Sequence, residues 1–107
     1  MRLIKRGFIR VRTLTPFVEW ANINDEDGGE MVHYSTESNI YLIEEDEDLF
    51  APELIIKKNF KKIFLSELDF VTEDESCYPE IKLDIFNQWF ETEVGDLVFD
   101  CLNTELV

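Results

Sequence analysis

One long amphipathic helix limits the possible folds of this chain more than any other sequence feature. Its apolar stripe follows the i, i+4, i+7 and i+8 spacing of a helix and consists of Ile56, Phe60, Ile63, Phe64 and Leu68. The neighbouring lysines, Lys57, Lys58, Lys61 and Lys62, fall outside that stripe. A helix from about Pro52 to Phe70 therefore needs a second layer on which to bury one face.

An alternating segment, RGFIRVRTL at residues 6–14, predicts a strand of that second layer. One side of the strand consists of Ile9 and Val11, and the other consists of Phe8, Arg10 and Arg12. We therefore expect one buried face and one partly basic face. Residues 39–45, NIYLIEE, are rich in β-branched and aromatic residues and predict a second strand. Residues 96–102, DLVFDCL, predict a third.

Two further helices are predicted from their apolar spacing. Thr15 is suited to the N-cap and Pro16 to the first position of a short helix that ends near Asn24. Its apolar side consists of Phe17, Trp20 and Ala21. A third helix is predicted between residues 83 and 94, with Gly95 as its stop signal. Its apolar positions are Leu83, Phe86, Phe90 and Val94, widened by Ile85 and Trp89.

The resulting order, β-α-β-α-α-β, predicts the α+β class. We expect a single domain over residues 1–107, a two-layer sandwich with helices on one face of a three- to four-stranded sheet. A helix joins the first two strands, so a right-handed parallel crossover is expected if these strands are neighbours. A fourth strand at residues 31–36, or a dimer that pairs edges, would cover the exposed edges of so small a sheet.

The charge distribution is uneven, with a net charge of −14. Residues 1–12 carry five cations and no acid, whereas residues 13–56 contain neither lysine nor arginine. Such an acidic body repels nucleic acids and anionic membranes and attracts a basic protein surface. Solubility alone is the simpler explanation of the charge. The N-terminus has the form of no signal peptide, so a cytoplasmic location with reduced Cys77 and Cys101 is expected.

Several kinds of active site are disfavoured by the sequence. In the calcium-like segment Asn22–Glu30, placing Gly28 at loop position 6 puts Ile23 at position 1, where a ligand is needed. The single histidine, His33, and two separated cysteines do not form a zinc set. Glycines occur at four scattered positions, so a glycine-rich phosphate loop is absent. We therefore predict no catalytic residues, no metal site and no cofactor, and we note Asp100 as a carboxylate with apolar neighbours.

The acidic run EEDED follows the second predicted strand and is the candidate partner-binding site. It consists of Glu44, Glu45, Asp46, Glu47 and Asp48. The run is suited to receiving a basic partner or a divalent ion, and its alternative interpretation is a solvated loop. The lysines of the long helix are expected to pair with local acids such as Glu53 and Glu67.

The segments RGFIRVR, TPFVEWAN, NIYLIEE and FNQWFETEVGDLVFD resemble a family of small acidic bacterial proteins of unknown function. The resemblance covers most of the chain and rests on core positions rather than on reactive groups. It implies a bacterial origin and transfers no activity, cofactor or site residue.

Four functional hypotheses follow from these patterns. The first is a non-enzymatic protein-binding or regulatory domain that meets a basic protein surface, as a monomer or as an edge-paired homodimer. The second is an immunity protein or antitoxin that caps a basic nuclease toxin. The third is a DNA mimic, which requires carboxylates spaced like phosphates. An enzyme is the least favoured of the four, since no catalytic set is evident.

Overall fold

Five strands and three α-helices make up the described parts of the chain. The computed structural model describes residues 1–25, 36–45 and 51–102. In chain order the elements are β1 (Arg2–Ile4), β2 (Gly7–Thr13), α1 (Thr15–Asn24), β3 (Ser38–Ile43), α2 (Pro52–Val71), a 3₁₀ turn (Glu75–Cys77), α3 (Leu83–Trp89), β4 (Phe90–Gly95) and β5 (Val98–Asp100). The predicted α+β class is confirmed, and the helices pack against one face of a small sheet.

The strand β2 lies at the centre of an antiparallel three-stranded sheet with the order β3-β2-β4. β1 and β5 form a separate antiparallel pair. The expectation of a parallel crossover between β2 and β3 is therefore wrong. The N–H of Thr13 donates to the Glu37 carbonyl at 2.8 Å, and the Glu37 N–H donates to Thr13 Oγ1 at 2.8 Å. These bonds hold the start of β3 beside the end of β2, so the two strands run in opposite directions.

The core lies between the sheet and the helices. On β2, Ile9 and Val11 are fully buried, as the alternation predicted. All five residues of the predicted α2 stripe are buried as well. Phe64 lies at the centre, with its ring 5.5–5.8 Å from the rings of Phe86, Trp89 and Phe90. Burial of each such aromatic side chain contributes about 1.5–3 kcal/mol, so this cluster fixes how α2 and α3 meet the sheet.

The predicted third helix is only partly correct, because the chain changes from helix to strand at Phe90. α3 ends at Trp89, and Phe90–Gly95 forms β4. Phe90 fits both periods, since it continues the helical spacing from Phe86 and also begins an alternation. In β4 the outward Glu91 and Glu93 pair with Arg12 at 2.8 Å and Arg10 at 3.5 Å. The arginines of β2 therefore favour a strand at this position.

Two local details also differ from expectation. Leu14, not Thr15, is the N-cap of α1, and Thr15 is its first helical residue. The three-residue strand β1 was not predicted, because so short a segment cannot display a period.

Phe8 and Gly95 face each other across the β2–β4 pair on the face of the sheet away from the helices. A Cβ atom added at Gly95 would lie 2.3 Å from the ring of Phe8. The glycine thus provides the space in which the ring packs against the β4 backbone.

We expect Gly95→Ala to lower the free energy of unfolding by about 1–2 kcal/mol, because the Phe8 ring must leave its position. In a Phe8→Ala background the same change should be neutral or slightly stabilising, because alanine restricts the unfolded chain. Urea denaturation of the four proteins in this double-mutant cycle measures the coupling. An equal cost of Gly95→Ala in both backgrounds would contradict the packing described here.

Candidate functional site: the groove between β3 and α2

A groove runs between β3 and α2 and consists of two depressions that meet at Tyr41. The larger depression has a volume of about 390 Å³ and is lined by Arg6, Tyr41, Leu42, Ile43, Glu44, Lys58, Asn59, Lys62 and Ile63. The smaller has a volume of about 310 Å³ and is lined by Glu37, Asn39, Ile40, Tyr41, Ser66, Glu67 and Phe70. We call the two depressions together the β3–α2 groove. The larger depression is its basic end, and the smaller depression is its acidic end.

A buried carboxylate joins the two walls of the groove. Glu67 on α2 is 4% exposed. Asn39 Nδ2 donates to Glu67 Oε1 at 3.0 Å and to Oε2 at 3.2 Å, and the Tyr41 hydroxyl donates to Oε1 at 3.0 Å. Tyr41 also lies 3.2 Å from Ser66 Oγ. Two side chains of β3 thus hold one side chain of α2, and the hydrogen bonds offset part of the cost of burying a charge.

The expectation that Glu67 pairs with the helix lysines is wrong. Glu67 lies one helical turn after Ile63, so it faces the same buried side as the apolar stripe. An acid at a stripe position is the sequence signal of this cluster. A stripe defined by apolar residues alone leaves that acid out. Asn39 and Tyr41 were placed correctly on a strand, but their partner on α2 was not identified.

Burial raises the pKa of two groups in this cluster. Burial is the largest cause that raises the pKa of Glu67, and the charge of Glu37 raises it further, whereas hydrogen bonds from Asn39 and Tyr41 lower it. The net effect is a raised pKa. Burial also raises the pKa of Tyr41 to about 12, so its hydroxyl stays a hydrogen-bond donor at neutral pH.

The outer edge of β3 faces away from β2. Directly opposed residues in an antiparallel pair alternate between hydrogen-bonded and non-bonded pairs. Since the bonded register includes Thr13 and Glu37, every second residue from Glu37 onward bonds to β2. The backbone N–H and C=O groups of Ser38, Ile40 and Leu42 therefore point to the other edge. No described residue pairs with that edge.

The residues of the predicted partner-binding site lie partly within and partly outside the described ranges. Glu44 and Glu45 directly follow β3 and are exposed, while Asp46, Glu47 and Asp48 lie outside the described residues. Glu44 lines the basic end of the groove and lies 3.9 Å from Arg6. His33, most of the calcium-like segment and most of the suggested fourth strand also lie outside the described residues.

The remaining candidates have ordinary structural partners. Asp100 ends β5, lies 3.6 Å from Arg2 and accepts a hydrogen bond from the Leu102 N–H at 2.9 Å. Both cysteines are free, and the Cys77 thiol donates to the Asp74 carbonyl at 3.0 Å. Within the described ranges, histidine, cysteine and carboxylate side chains form no group of three suited to a metal ion.

Comparison with protein-family models, with curated proteins and with solved structures finds no match for this chain. In the part of the chain that the structure describes, no helix has the length and apolarity required to cross a bilayer. The family resemblance and the bacterial origin therefore stay predictions.

The raised pKa of Glu67 predicts a specific pH dependence of stability. The carboxyl has an ordinary pKa of 4.5, and the folded protein binds its proton more tightly than the unfolded chain does. Its contribution is fully present below that ordinary pKa and is lost as the pH rises through the folded pKa. Wild type should therefore lose stability relative to Glu67→Gln as the pH rises from about 4 to 8, measured by urea unfolding.

The matched control is Glu91→Gln, which also removes one carboxylate. Hydrogen bonding to Arg12 and the charge of Arg12 lower the pKa of Glu91, so its contribution is present above the ordinary pKa and is lost as the pH falls. The two differences from wild type should therefore change with pH in opposite directions. Slopes of the same sign would contradict the assignment of Glu67 as a buried carboxyl.

Proposed function

We propose that this chain is a non-enzymatic protein-binding domain that receives an extended segment of another protein along the outer edge of β3. The observation that carries the proposal is the row of outward backbone groups at Ser38, Ile40 and Leu42. An extended chain that adds to such an edge forms main-chain hydrogen bonds, each contributing about 0.5–1.5 kcal/mol.

Apolar side chains border this edge. Ile40 and Leu42 are 56% and 49% exposed on the face of the sheet away from the helices. On the other side, Phe70 at the acidic end of the groove is 81% exposed. A bound strand points its side chains alternately to these two sides, so each set has apolar surface to bury. Backbone pairing then supplies affinity, and the flanking side chains supply selectivity.

The net charge favours a different protein over a second copy as the occupant. Two copies would each carry a net charge of −14 and would repel one another. A basic partner is attracted over a distance of about one Debye length, roughly 8–10 Å at ordinary ionic strength. The immunity or antitoxin hypothesis is the special case in which that partner is a nuclease toxin.

The charges on the face of the sheet away from the helices give less support to a DNA mimic. There Arg10 and Arg12 pair with Glu93 and Glu91, so positive charges stand beside the carboxylates. A mimic needs an uninterrupted row of negative groups in place of phosphates. Docking of a protein segment at β3 does not depend on such a row.

The test uses peptides selected from a library of random dodecapeptides displayed against the wild-type protein. Ile40→Pro removes one outward N–H and leaves the bonds between β3 and β2 in place, because proline is tolerated on the open side of an edge strand. We expect Ile40→Pro to weaken binding about tenfold or more, since a main-chain bond and its neighbours are lost. Isothermal titration calorimetry measures the change.

The matched control is Ile40→Thr, which removes apolar area but keeps the N–H and should weaken binding much less. Equal affinity of Ile40→Pro and wild type, or a failure to select any binder, would contradict the proposal. Sedimentation of the free proteins tests the second-copy alternative: a wild-type dimer that Ile40→Pro dissociates would assign the edge to self-association instead.

A further inference from the structure

Three of the ten cationic side chains of this acidic protein line one end of the β3–α2 groove. They are Arg6, Lys58 and Lys62. The lining of the other end contains Glu37 and Glu67 instead. The charge of the lining therefore changes along the groove, from positive near the end of β3 to negative near its start.

The phase of α2 selects two of its four lysines for the groove. Lys58 and Lys62 are one helical turn apart and both line the basic end. Lys57 and Lys61 lie on the same helix but are not among the lining residues. Arg6 comes from the turn between β1 and β2. Two separate parts of the chain thus direct cations at the same depression.

The floor of the basic end is apolar and includes Ile43 and Ile63. Ile63 is buried, and Ile43 is packed against the core. An apolar floor reduces the amount of water around a bound anion and so strengthens its attraction to the cations. A depression of about 390 Å³ has room for an acidic side chain or for the end of a peptide.

Among the described residues, the acid that lines this end is Glu44, and it is loosely held. Glu44 lies 3.9 Å from Arg6, which is longer than a hydrogen bond, and its side chain is 89% exposed. A carboxylate brought by a docked segment can bind the guanidinium in the shorter bidentate geometry and displace Glu44.

We propose that the basic end of the groove binds one carboxylate of the docked segment, either an acidic side chain or the carboxyl terminus. This inference rests on the proposed function, because the segment must first lie along β3. The net charge and the charge of the groove then act at different distances. At long range the acidic body attracts a basic protein. In contact, a single negative group of the segment binds to Arg6, Lys58 and Lys62.

The experiment again uses dodecapeptides selected on wild type, now sequenced and measured against two double variants. Lys58→Gln with Lys62→Gln removes two cations from the groove, and Lys57→Gln with Lys61→Gln removes two cations from the same helix outside it. We expect the groove variant to bind about fivefold to tenfold more weakly, and the control variant to stay within about twofold of wild type. Selected peptides should share one acidic group at a fixed position.

Changes in the peptide identify the source of the carboxylate. An acidic residue replaced by its amide, or an amidated carboxyl terminus, should reproduce the loss seen with the groove variant, and only one of the two should do so. In a Lys62→Glu variant, a peptide with lysine in place of the acid should regain affinity. Glu44→Gln should tighten binding of the original peptide, because the competing internal acid is removed.

The outcomes separate this inference from the proposed function. Peptides that bind along β3 and are weakened by Ile40→Pro, yet share no acid and bind equally to both lysine variants, would overturn the carboxylate site alone. Peptides whose affinity is unchanged by Ile40→Pro would overturn both the carboxylate site and the proposed function.

Discussion

The hydrogen-bonded carboxylate of Glu67 joins α2 to β3 and lines the groove between them. The aromatic cluster around Phe64 fixes α2 against β4 and α3, but β3 lies at the far edge of the sheet from that cluster. Three hydrogen-bond contacts from Asn39 and Tyr41 to Glu67 join that edge to the helix. A carboxylate at this position costs stability as it ionises, and its hydrogen bonds offset part of that cost while fixing one arrangement.

These polar contacts lie on the helix side of β3, and no described residue pairs with its outer edge. A fully apolar contact between β3 and α2 would close the space around Tyr41 by side-chain packing. Here Tyr41 instead stands between two depressions, one lined by cations and one by acids. Asn39, Tyr41 and Glu67 hold the strand beside the helix, whereas pairing with β2 directs every second backbone group of β3 outward. The lining side chains give the groove a different charge at each end. Where an extended segment adds to a sheet edge, main-chain hydrogen bonds supply affinity and the neighbouring side chains supply selectivity.

Periodicity predicted the larger elements because burial enforces it. The stripe of α2 and the alternation of β2 had to appear in the sequence, since each element has one buried face. The predicted end of α3 is wrong because Phe90 satisfies both periods, and a strand there is favoured by the pairing of Glu91 and Glu93 with arginines of β2. The groove could not be predicted from local patterns. Its residues come from β3, α2 and the turn at Arg6, and their proximity is a property of the antiparallel pairing.

No described residue pairs with the outer edge of β3, and amide hydrogen exchange along that strand measures whether the edge is open in the whole protein. We expect an alternating result in the free protein: slow exchange at Asn39, Tyr41 and Ile43, whose amides face β2, and fast exchange at Ile40 and Leu42. Uniformly slow exchange over β3 would contradict an open edge, because it would mean that the edge is already occupied.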